Sequence, residues 1–521
     1  MISIRRPALT WLILLPVLFM AARPQSDCAG AVKPTKPNLV YILADDLGYG
    51  DLSCYNPASK IPTPNLDRLA KEGVRFTDAH SPSTVCTPTR YALLTGRYAW
   101  RTRLQRNVIG PFSQPLIAER LLTVPEMLRQ QGYATACIGK WHLGWGWPKP
   151  GEGGARDFTK PIPNGPTTRG FDLYYGTDVP NYPPYCFIEN DRSVGIPSEA
   201  APVGRDAFNI AGPMVPNWKL VDVLPGLEKR AVEYIAKASK GDKPFFLYLP
   251  LTSPHYPVVP SAAFKGKSNV GAYGDFVMQT DHVVGQVLDA LKKAGVAENT
   301  LVIFTSDNGP EVTGEVKPGV YDRLKEFGHA SMGKLRGAKR DAWEGGHRVP
   351  FIARWPGKIP AGSTCDETIC HVDLLATLAA LLEVKLPADA GVDSVNILPA
   401  LLGAKGKAPL REATVHHSAQ GKFAIRQGDW VLILAPSGDD NGKRGEPAWF
   451  RTNRGYTQHS EAGELFNLAT DLTQKVNRYA AEPAKVKELA ALLERYVVGG
   501  RSTPGPKQKN DVEVIWDKRI K

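Results

Sequence analysis

Continuous apolar runs recur along the chain, and polar or ionisable residues directly follow most of them. Apolar runs without strict alternation are typical of strands that are buried on both faces of a parallel sheet. The pattern predicts strands over Asn38–Ala44, Tyr133–Ile138, Pro244–Leu249, Leu301–Thr305 and Phe351–Trp355. Because helical patterns lie between these runs, we expect an α/β fold with a large mixed central sheet.

The pattern changes beyond the glycine- and lysine-containing segment 399–409. Lys422–Leu434 alternates like an antiparallel hairpin, and Lys485–Val498 has the periodicity of an amphipathic helix. We therefore expect a smaller C-terminal α+β domain with an antiparallel sheet. The predicted parts are a signal peptide with its flank (1–31), a large domain (32–403), the smaller domain (404–500) and a basic, loosely ordered tail (501–521).

Residues 145–225 form a long segment rich in glycine, proline and aromatic residues, with little periodicity. Long irregular segments inside compact domains are often functional loops. Aromatic rings such as Trp145, Trp147 and Tyr182 lie near cationic residues here, and such rings suit a sugar ligand that carries anionic groups. A structural excursion packed by its own aromatic residues explains the composition equally well, so both interpretations remain open.

Four of the predicted strands are followed by residues that can carry chemistry. Adjacent carboxylates at the end of a buried strand are hard to explain as packing, and in open α/β sheets ligands bind at the carboxyl edge. A turn residue or a satisfied core histidine explains any one of these positions, but the recurrence favours a single composite site. The candidates are Asp45 and Asp46, Lys140 and His142, His255, and Asp307 and Asn308.

The segment Ser81–Gly96 has the features of a short helix that faces an anion. Thr87 is predicted to cap it, Pro88 fits its first turn, and Gly96 ends it. Cys86 would then lie just ahead of a helix N-terminus, where backbone N–H groups attract anions, and Arg90 adds a permanent charge. The alternative is a buried structural cysteine.

Composition limits the class of protein. The chain has 521 residues, 43% of them hydrophobic and 22% charged, as expected for a globular protein, and its formal net charge is +12. A basic surface suits anionic substrates, nucleic acid or acidic membranes. No nucleic-acid-binding signature accompanies the charge, so we expect no nucleic-acid partner. Seven cysteines are too few for a disulfide scaffold, and sequence alone leaves open whether Cys365 and Cys370 pair.

The N-terminus has the pattern of a secretion signal. Arg5 and Arg6 precede the apolar run Trp11–Met20, and small residues follow it. The run is too short for a retained transmembrane helix, and the residues before Cys28 are a poor lead-in to a lipid anchor. We expect a secreted or periplasmic protein with no lipid anchor at Cys28 and no integral membrane segment after signal removal.

Several of these segments together resemble the type I, formylglycine-dependent sulfatases. The matching motifs, in the order of that family, are Cys-x-Pro-x-Arg followed by Leu-Leu-Thr-Gly (86–96), Gly-Lys-Trp-His (139–142), Glu-Gly-Gly-His-Arg-Val-Pro (344–350) and Glu-Leu-Phe-Asn-Leu (464–468). The resemblance covers nearly the whole mature chain and implies an alkaline-phosphatase-like α/β sandwich. It is strongest to arylsulfatase A and N-acetylgalactosamine-6-sulfatase relatives.

The resemblance also implies a site. Oxidation of Cys86 by a formylglycine-generating maturation enzyme would make it the nucleophile. Asp45, Asp46, Asp307 and Asn308, with the modified Cys86, would hold one divalent cation, and an all-oxygen set favours Ca²⁺ over Mg²⁺. Lys339, a few residues before the Glu-Gly-Gly motif, is the match for a sulfate-binding lysine.

The roles carried over by this resemblance form a two-step hydrolysis. A hydroxyl of hydrated formylglycine, deprotonated against Asp307 or the metal, attacks sulfur in line with the ester oxygen. Arg90, Lys140 and Lys339 hold the other sulfate oxygens. His255, with help from Lys339, protonates the departing alcohol, and His142 deprotonates the second hydroxyl to expel sulfate. The family often has a further polar contact to sulfate in the loop after His142, for which this sequence offers no assignable match.

The expected substrate is a sulfated polysaccharide or its fragments, with aryl sulfates as surrogates. Two alternatives remain at this point. A phosphomonoesterase or phosphodiesterase of the same architecture would use serine or threonine and two metals, whereas this chain has Cys86 and ligands for one ion. An inactive carbohydrate-binding relative would have lost its nucleophile, metal ligands or cations.

Overall fold

The computed structural model describes residues 1–3, 36–148, 156–204, 208–312, 318–404, 406 and 408–517. Pro37–Lys521 is one compact unit, and Met1–Lys36 is a separate unit. The predicted signal peptide and Cys28 lie outside the described residues, apart from the first three. Among the described residues, no helix is both long and apolar enough to cross a membrane.

The strands occur in a large sheet and three smaller ones. Those of the large sheet are β1 (Asn38–Asp45), β2 (Val74–Phe76), β4 (Ala134–Lys140), β5 (Leu173–Thr177), β6 (Ile188–Glu189), β7 (Arg192–Ser193), β10 (Phe245–Pro254), β11 (Thr300–Ser306), β12 (Phe351–Arg354) and β13 (Ser363–Cys365). The others are β3 (Ala79–His80), β8 (Glu199–Ala200), β9 (Pro213–Met214), β14 (Ile369–Cys370), β15 (Thr414–His417), β16 (Phe423–Gln427), β17 (Trp430–Ile433) and β18 (Glu464–Asn467).

The α-helices lie mostly between the strands of the large sheet. They are α1 (Pro64–Glu72), α2 (Cys86–Thr95), α3 (Val124–Gln130), α4 (Val223–Ala238), α5 (Gly271–Lys293), α6 (Val320–Phe327), α7 (Glu344–His347), α8 (Leu374–Leu381), α9 (Leu398–Leu401), α10 (Ala448–Arg454) and α11 (Pro483–Gly499). Short 3₁₀ turns cover Ala99–Arg101, Pro166–Arg169, Leu220–Asp222, Ala297–Asn299, His371–Asp373 and Gly442–Arg444.

The large sheet has ten strands in the order β13-β2-β12-β11-β1-β10-β4-β5-β6-β7. The five central strands from β11 to β5 run parallel, and antiparallel pairs flank them on both sides. All five strands that we predicted from continuous apolar runs belong to this sheet. The mixed α/β architecture expected from the sequence is therefore confirmed.

Alternate side chains of β1 face two different cores, which makes the molecule a sandwich. Leu39, Tyr41 and Leu43 pack into one core, together with side chains of α2, α3 and α8. Val40 and Ile42 pack into the other, against α1, α4 and α5. A strand that is buried on both faces needs apolar residues at every position, which is why its sequence shows no alternation.

The predicted C-terminal hairpin is β16 and β17, and it lies inside a four-stranded antiparallel sheet of order β15-β16-β17-β18. The amphipathic helix α11 packs onto this sheet through residues such as Leu489 and Leu493. Cys365 and Cys370, whose pairing the sequence left open, lie in β13 and β14 and are not joined by a disulfide. The domain boundary near residue 404 stays a prediction.

The expectation of a loosely ordered tail is wrong for residues 501–517. Asp511 pairs with Arg97 at 3.1 Å, and Asn510 accepts a hydrogen bond from Arg101 at 2.9 Å. Val514 packs into the core under the four-stranded C-terminal sheet. Composition suggested disorder because the tail is basic and contains proline. Its few acidic and apolar residues, however, meet specific partners that only the fold provides.

Three buried histidines connect the four-stranded C-terminal sheet to the rest of the fold. His80 Nδ1 lies 3.0 Å from His347 Nδ1, and the rings of His347 and His416 stack with centroids 3.8 Å apart and 8° between their planes. Parallel stacked rings cannot direct in-plane lone pairs at one shared cation, so we interpret the cluster as packing. Burial lowers the pKa of all three imidazoles, which are therefore held neutral although Asp78 and Glu344 face the cluster.

We predict that this cluster makes the protein sensitive to mild acid. The pKa of an unfolded histidine is about 6.5, so the unfolded chain binds more protons than the native protein below that pH. The stabilising contribution is present above pH 6.5 and is lost as the pH falls, by up to ~1.4 kcal/mol per pH unit for each histidine. Measured by denaturant unfolding, the wild type should lose stability between pH 7 and 5, and His416→Gln should show a smaller slope. Equal slopes would contradict this account.

Candidate active site

Neighbouring parallel strands deliver the predicted site residues to one edge of the large sheet. β1 ends at Asp45 and β4 ends at Lys140. His255 directly follows β10, and Asp307 directly follows β11. Because parallel strands end at a common edge, residues far apart in sequence come within hydrogen-bond distance. The four strand ends therefore meet at one edge, as the recurrence predicted, and the role of these residues as one site stays a prediction.

Cys86 is buried and lies in the first turn of α2. The prediction that Thr87 caps this helix is wrong, because the helix begins at Cys86 and the capping position is Val85. Proline fits any position of a first turn, where the backbone nitrogen has no intrahelical partner, so Pro88 did not fix the start. Gly96 ends the helix in the left-handed conformation, as predicted (φ 62°).

Arg90 lies one turn beyond Cys86 and links α2 to the sheet. Its Nη2 and Nε donate to Asp307 Oδ2 at 2.8 and 3.2 Å, and its Nη1 donates to the carbonyl of Lys140 at 3.1 Å. The sulfur of Cys86 and carboxylate oxygens of Asp45 and Asp307 all lie within 4.8 Å of one another. The reactive side chain predicted from the sequence thus faces two buried carboxylates.

The charged groups of the site shift one another's pKa values. Although burial opposes it, Lys140, whose Nζ lies 2.6 Å from Asp45 Oδ2, holds the pKa of Asp45 below its usual range. Burial and the neighbouring Asp45 carboxylate raise the pKa of Asp307. Two carboxylates this close repel each other unless positive charge lies between them. Arg90 and Lys140 supply two such charges, and the carboxylate and amide oxygens that they leave unpaired indicate where a further cation would fit.

Two buried oxygens support that interpretation. Asp45 Oδ1 and Asn308 Oδ1 accept no hydrogen bond from any residue that the structure describes. The other end of the Asn308 amide is fixed, because its Nδ2 donates to Asp46 Oδ1 at 2.7 Å. Carboxylate and amide oxygens are the ligands of hard divalent cations such as Ca²⁺. The residues present fit a divalent ion held by Asp45, Asp46, Asp307 and Asn308.

Gly139 explains the glycine of the Gly-Lys motif. Its φ is 142°, and a Cβ at this position would lie 1.9 Å from the carbonyl oxygen of Pro250 in the adjacent strand. Only glycine fits this close approach. The side chain of Lys140, the next residue, is thereby brought to the sheet edge.

Lys339 and His255 both lie close to the carboxylate of Asp46. Lys339 Nζ donates to Asp46 Oδ2 at 2.7 Å and lies 3.2 Å from Glu311, and although burial opposes it, these carboxylates raise the pKa of Lys339. His255 Nε2 lies 3.6 Å from Asp46 Oδ2, and its Nδ1 donates to the carbonyl of Tyr256. Burial and Lys339 lower the pKa of His255. Of these two acid candidates, Lys339 holds its proton more firmly.

His142 is fixed in one tautomer. Its Nε2 lies 3.0 Å from the carbonyl oxygen of Ile109, which can only accept, so Nε2 carries the proton. Nδ1 is buried and, within the described part of the chain, has no hydrogen-bond partner. Burial and Lys140 lower the pKa of His142 to about 3. The residue therefore presents a neutral ring with an available lone pair, as a base requires.

Two non-glycine residues of the site have left-handed backbones, Asp46 (φ 65°) and His142 (φ 53°). Such conformations cost about 1–3 kcal/mol each and persist where the surrounding structure imposes them. The N–H of Asp46 donates to Asp307 Oδ1 at 3.2 Å, and the N–H of His142 donates to Asp178 Oδ1 at 3.1 Å. These bonds hold both side chains toward the site.

Sequence reasoning missed the supporting residues Asp178 and Glu311. Asp178 directly follows β5, a short strand hidden in the irregular segment, so its place at the sheet edge was not visible. Glu311 follows the Asp307-Asn308 motif by only a few residues, and an acid so near was the one available signal. Both are buried and each orients a predicted site residue.

The irregular segment contributes less to the site than its composition suggested. Trp145, Trp147 and Tyr174 are buried in the core on one face of the large sheet, so the structural interpretation holds for them. Tyr182 is different, because it borders a cavity of about 250 Å³ together with Cys86 and the other reactive side chains. That cavity lies beside Cys86, His142, His255 and Lys339.

Comparison with known proteins agrees with this geometry. The sulfatase family model matches residues 37–384. Over 500 residues the chain is 36% identical to an N-acetylgalactosamine-6-O-sulfatase from Bacteroides thetaiotaomicron, covering 88% of this chain and 93% of that protein. It is 34% identical to human arylsulfatase A over 481 residues, covering 90% of this chain and 88% of the relative.

Solved structures give the same result. A protein described in connection with the metabolism of multiple glycosaminoglycans by Bacteroides thetaiotaomicron superposes with a TM-score of 0.76 at 34% identity, covering 88% of this chain and 99% of that one. The family match spans both the cysteine-bearing helix and the strand ends that form the site. The chain belongs to the sulfatase family and is an enzyme that hydrolyses sulfate esters.

Proposed function

We propose that this sulfatase releases inorganic sulfate from a sulfated sugar, with N-acetylgalactosamine 6-sulfate and glycosaminoglycan fragments that carry it as substrates. The carrying observation is the convergence of Cys86 with the cations of Arg90, Lys140 and Lys339 at one sheet edge. Buried cations there suit a sulfate group. The choice of sugar rests on the activity named for the Bacteroides relative.

Cys86 is the proposed nucleophile precursor. A thiol cannot form a hydrate that collapses to expel sulfate, whereas formylglycine made from Cys86 can. The position of Cys86 in the first turn of α2, close to Asp45 and Asp307, supports this role. Maturation requires a formylglycine-generating enzyme as a partner, and the N-terminal signal pattern suits export to the periplasm or beyond.

The remaining side chains of the site stabilise charge or transfer protons. Lys140 and Arg90 stabilise charge on the oxygens of sulfate from one side, and Lys339 does so from the other. Lys339 and His255 are placed to deliver a proton to the departing alcohol, since both border the cavity beside Cys86. His142 Nδ1 takes a proton in the step that releases sulfate.

Ca²⁺ is the proposed cation, held by Asp45, Asp46, Asp307 and Asn308 with the modified residue 86. When bound, it neutralises the carboxylates and polarises the sulfate group as a Lewis acid. The two hydrogen-bond-free oxygens of Asp45 and Asn308 support this assignment. An all-oxygen set of three carboxylates and one amide suits Ca²⁺ better than the smaller Mg²⁺.

Replacing Cys86 should abolish turnover. In Cys86→Ala, produced with the maturation enzyme, we expect kcat/KM for N-acetylgalactosamine 6-sulfate to fall by about 10⁴-fold or more, because loss of a nucleophile removes covalent catalysis. Peptide mass spectrometry of the wild type should show formylglycine at position 86. Cys54→Ala, a half-buried cysteine away from the site, is the matched control. Turnover by Cys86→Ala would refute the mechanism.

Removing the cation should remove activity reversibly. After chelation with EGTA we expect sulfate release to stop and added Ca²⁺ to restore it more fully than Mg²⁺. Asn308→Ala deletes one oxygen ligand and should weaken Ca²⁺ binding at least about tenfold in calorimetry. Unchanged Ca²⁺ affinity in this variant would show that the ion is bound elsewhere.

His142 should act in the second step only. His142→Gln keeps a side-chain donor for the carbonyl of Ile109 but lacks the basic lone pair of Nδ1. We expect a burst of about one equivalent of alcohol product, followed by turnover that is about 10²-fold or more slower. Rapid-quench measurement of alcohol and sulfate separates the two steps, and loss of the burst would place His142 in the first step instead.

A further inference from the structure

Asn181 is a buried amide that the hydrolytic mechanism does not use. It lies four residues beyond the end of β5 and borders the same cavity as Cys86 and His142. Only 7% of its surface is exposed. The segment directly after β5 therefore places Asp178 against the backbone N–H of His142 and places Asn181 at the cavity.

The side-chain oxygen of Asn181 has no hydrogen bond. Throughout the residues that the structure describes, no donor reaches Asn181 Oδ1, and the atom is buried. A buried acceptor that stays unpaired is costly. Such a group in a native cavity calls for an explanation, and a ligand that fills the cavity and supplies the donor is the direct one.

The sulfate group cannot be that donor. At neutral pH a sulfate ester carries only acceptor oxygens, and these suit cations such as Lys140 and Lys339. A sugar attached to the sulfate does carry donors, namely its ring hydroxyls and any acetamido N–H. The unpaired oxygen of Asn181 is therefore complementary to the alcohol part of the substrate.

The backbone around Asn181 is held firmly before any substrate binds. The hydroxyl of Tyr185 donates to the carbonyl of Asn181 at 3.2 Å and lies 2.8 Å from the carbonyl of Ile210, so it ties two cavity segments together. Tyr185 is itself buried. Because the backbone that carries the amide is tied in this way, it needs little reorganisation on binding, which favours discrimination between ligands.

We infer that Asn181 is a specificity-determining residue, which accepts a hydrogen bond from a hydroxyl or acetamido N–H of a neutral sugar that carries the sulfate. This assignment rests on the proposed function. A site built to pair with a substrate donor rejects analogues that lack it, because its own buried group is then left unpaired.

The test compares a substrate with donors and a probe without them. For Asn181→Leu, which has a similar size and no acceptor, we expect kcat/KM for N-acetylgalactosamine 6-sulfate to fall about tenfold or more. The inhibition constant of inorganic sulfate should change less than about twofold, since sulfate has no donor for the amide oxygen. Asn209→Leu makes the same change at an exposed amide of the cavity rim and should have a smaller effect on the sugar, because water replaces the lost contact.

Galactose 6-sulfate, which lacks the acetamido group, identifies the donor. If Asn181 contacts the N–H, the wild type should prefer the acetylated sugar and Asn181→Leu should lose that preference; if it contacts a ring hydroxyl, the preference persists while both rates fall. Equal losses for sugar and inorganic sulfate, or no loss for either, would overturn the assignment. If the wild type hydrolyses neither sugar, the proposed function fails, and calorimetric binding of the same ligands to wild type and variant still decides the role of Asn181.

Discussion

Three buried carboxylates at one edge of a sheet are the constraint on which the site depends. Asp45, Asp46 and Asp307 would repel one another if they were alone, and burial makes each charge more costly. Three cations compensate this negative charge. They are Arg90, Lys140 and Lys339, and each contacts at least one of these acids. Removing one partner leaves the others uncompensated. The three acids and the three cations therefore form one electrostatic assembly.

This assembly connects parts of the chain that are distant in sequence. Arg90 joins α2, the helix that carries Cys86, to the end of β11, and Lys339 joins a later loop to the end of β1. The small sheet contributes too, because Ser83 donates to the carbonyl of His417 at 2.7 Å just ahead of Cys86. The C-terminal sheet thus supports the helix that presents the reactive residue.

The cavity combines two kinds of recognition. Its lining includes the cations Lys339 and Arg340, which suit any sulfate ester. Its wall includes Tyr182 and Asn181, which belong to a segment with little periodicity and no family motif. Under the proposed function, reaction type therefore depends mainly on the strand ends and α2, and substrate choice depends on the segment that contains Asn181 and Tyr182. This division lets one scaffold serve several substrates.

The sequence by itself determined the parallel core and the residues at its edge. Apolar runs of the β1 type form strands buried on both faces, and the polar residues after them must then meet, so Asp45, Lys140, His255 and Asp307 were predictable. Local patterns could not show the start of α2, the packed tail around Asp511, or the burial of Trp145, because these depend on partners far along the chain. The lone pair of His142 and the unpaired oxygen of Asn181 were decided only by the tertiary structure, since each is defined by which distant groups lie within hydrogen-bond distance and which do not.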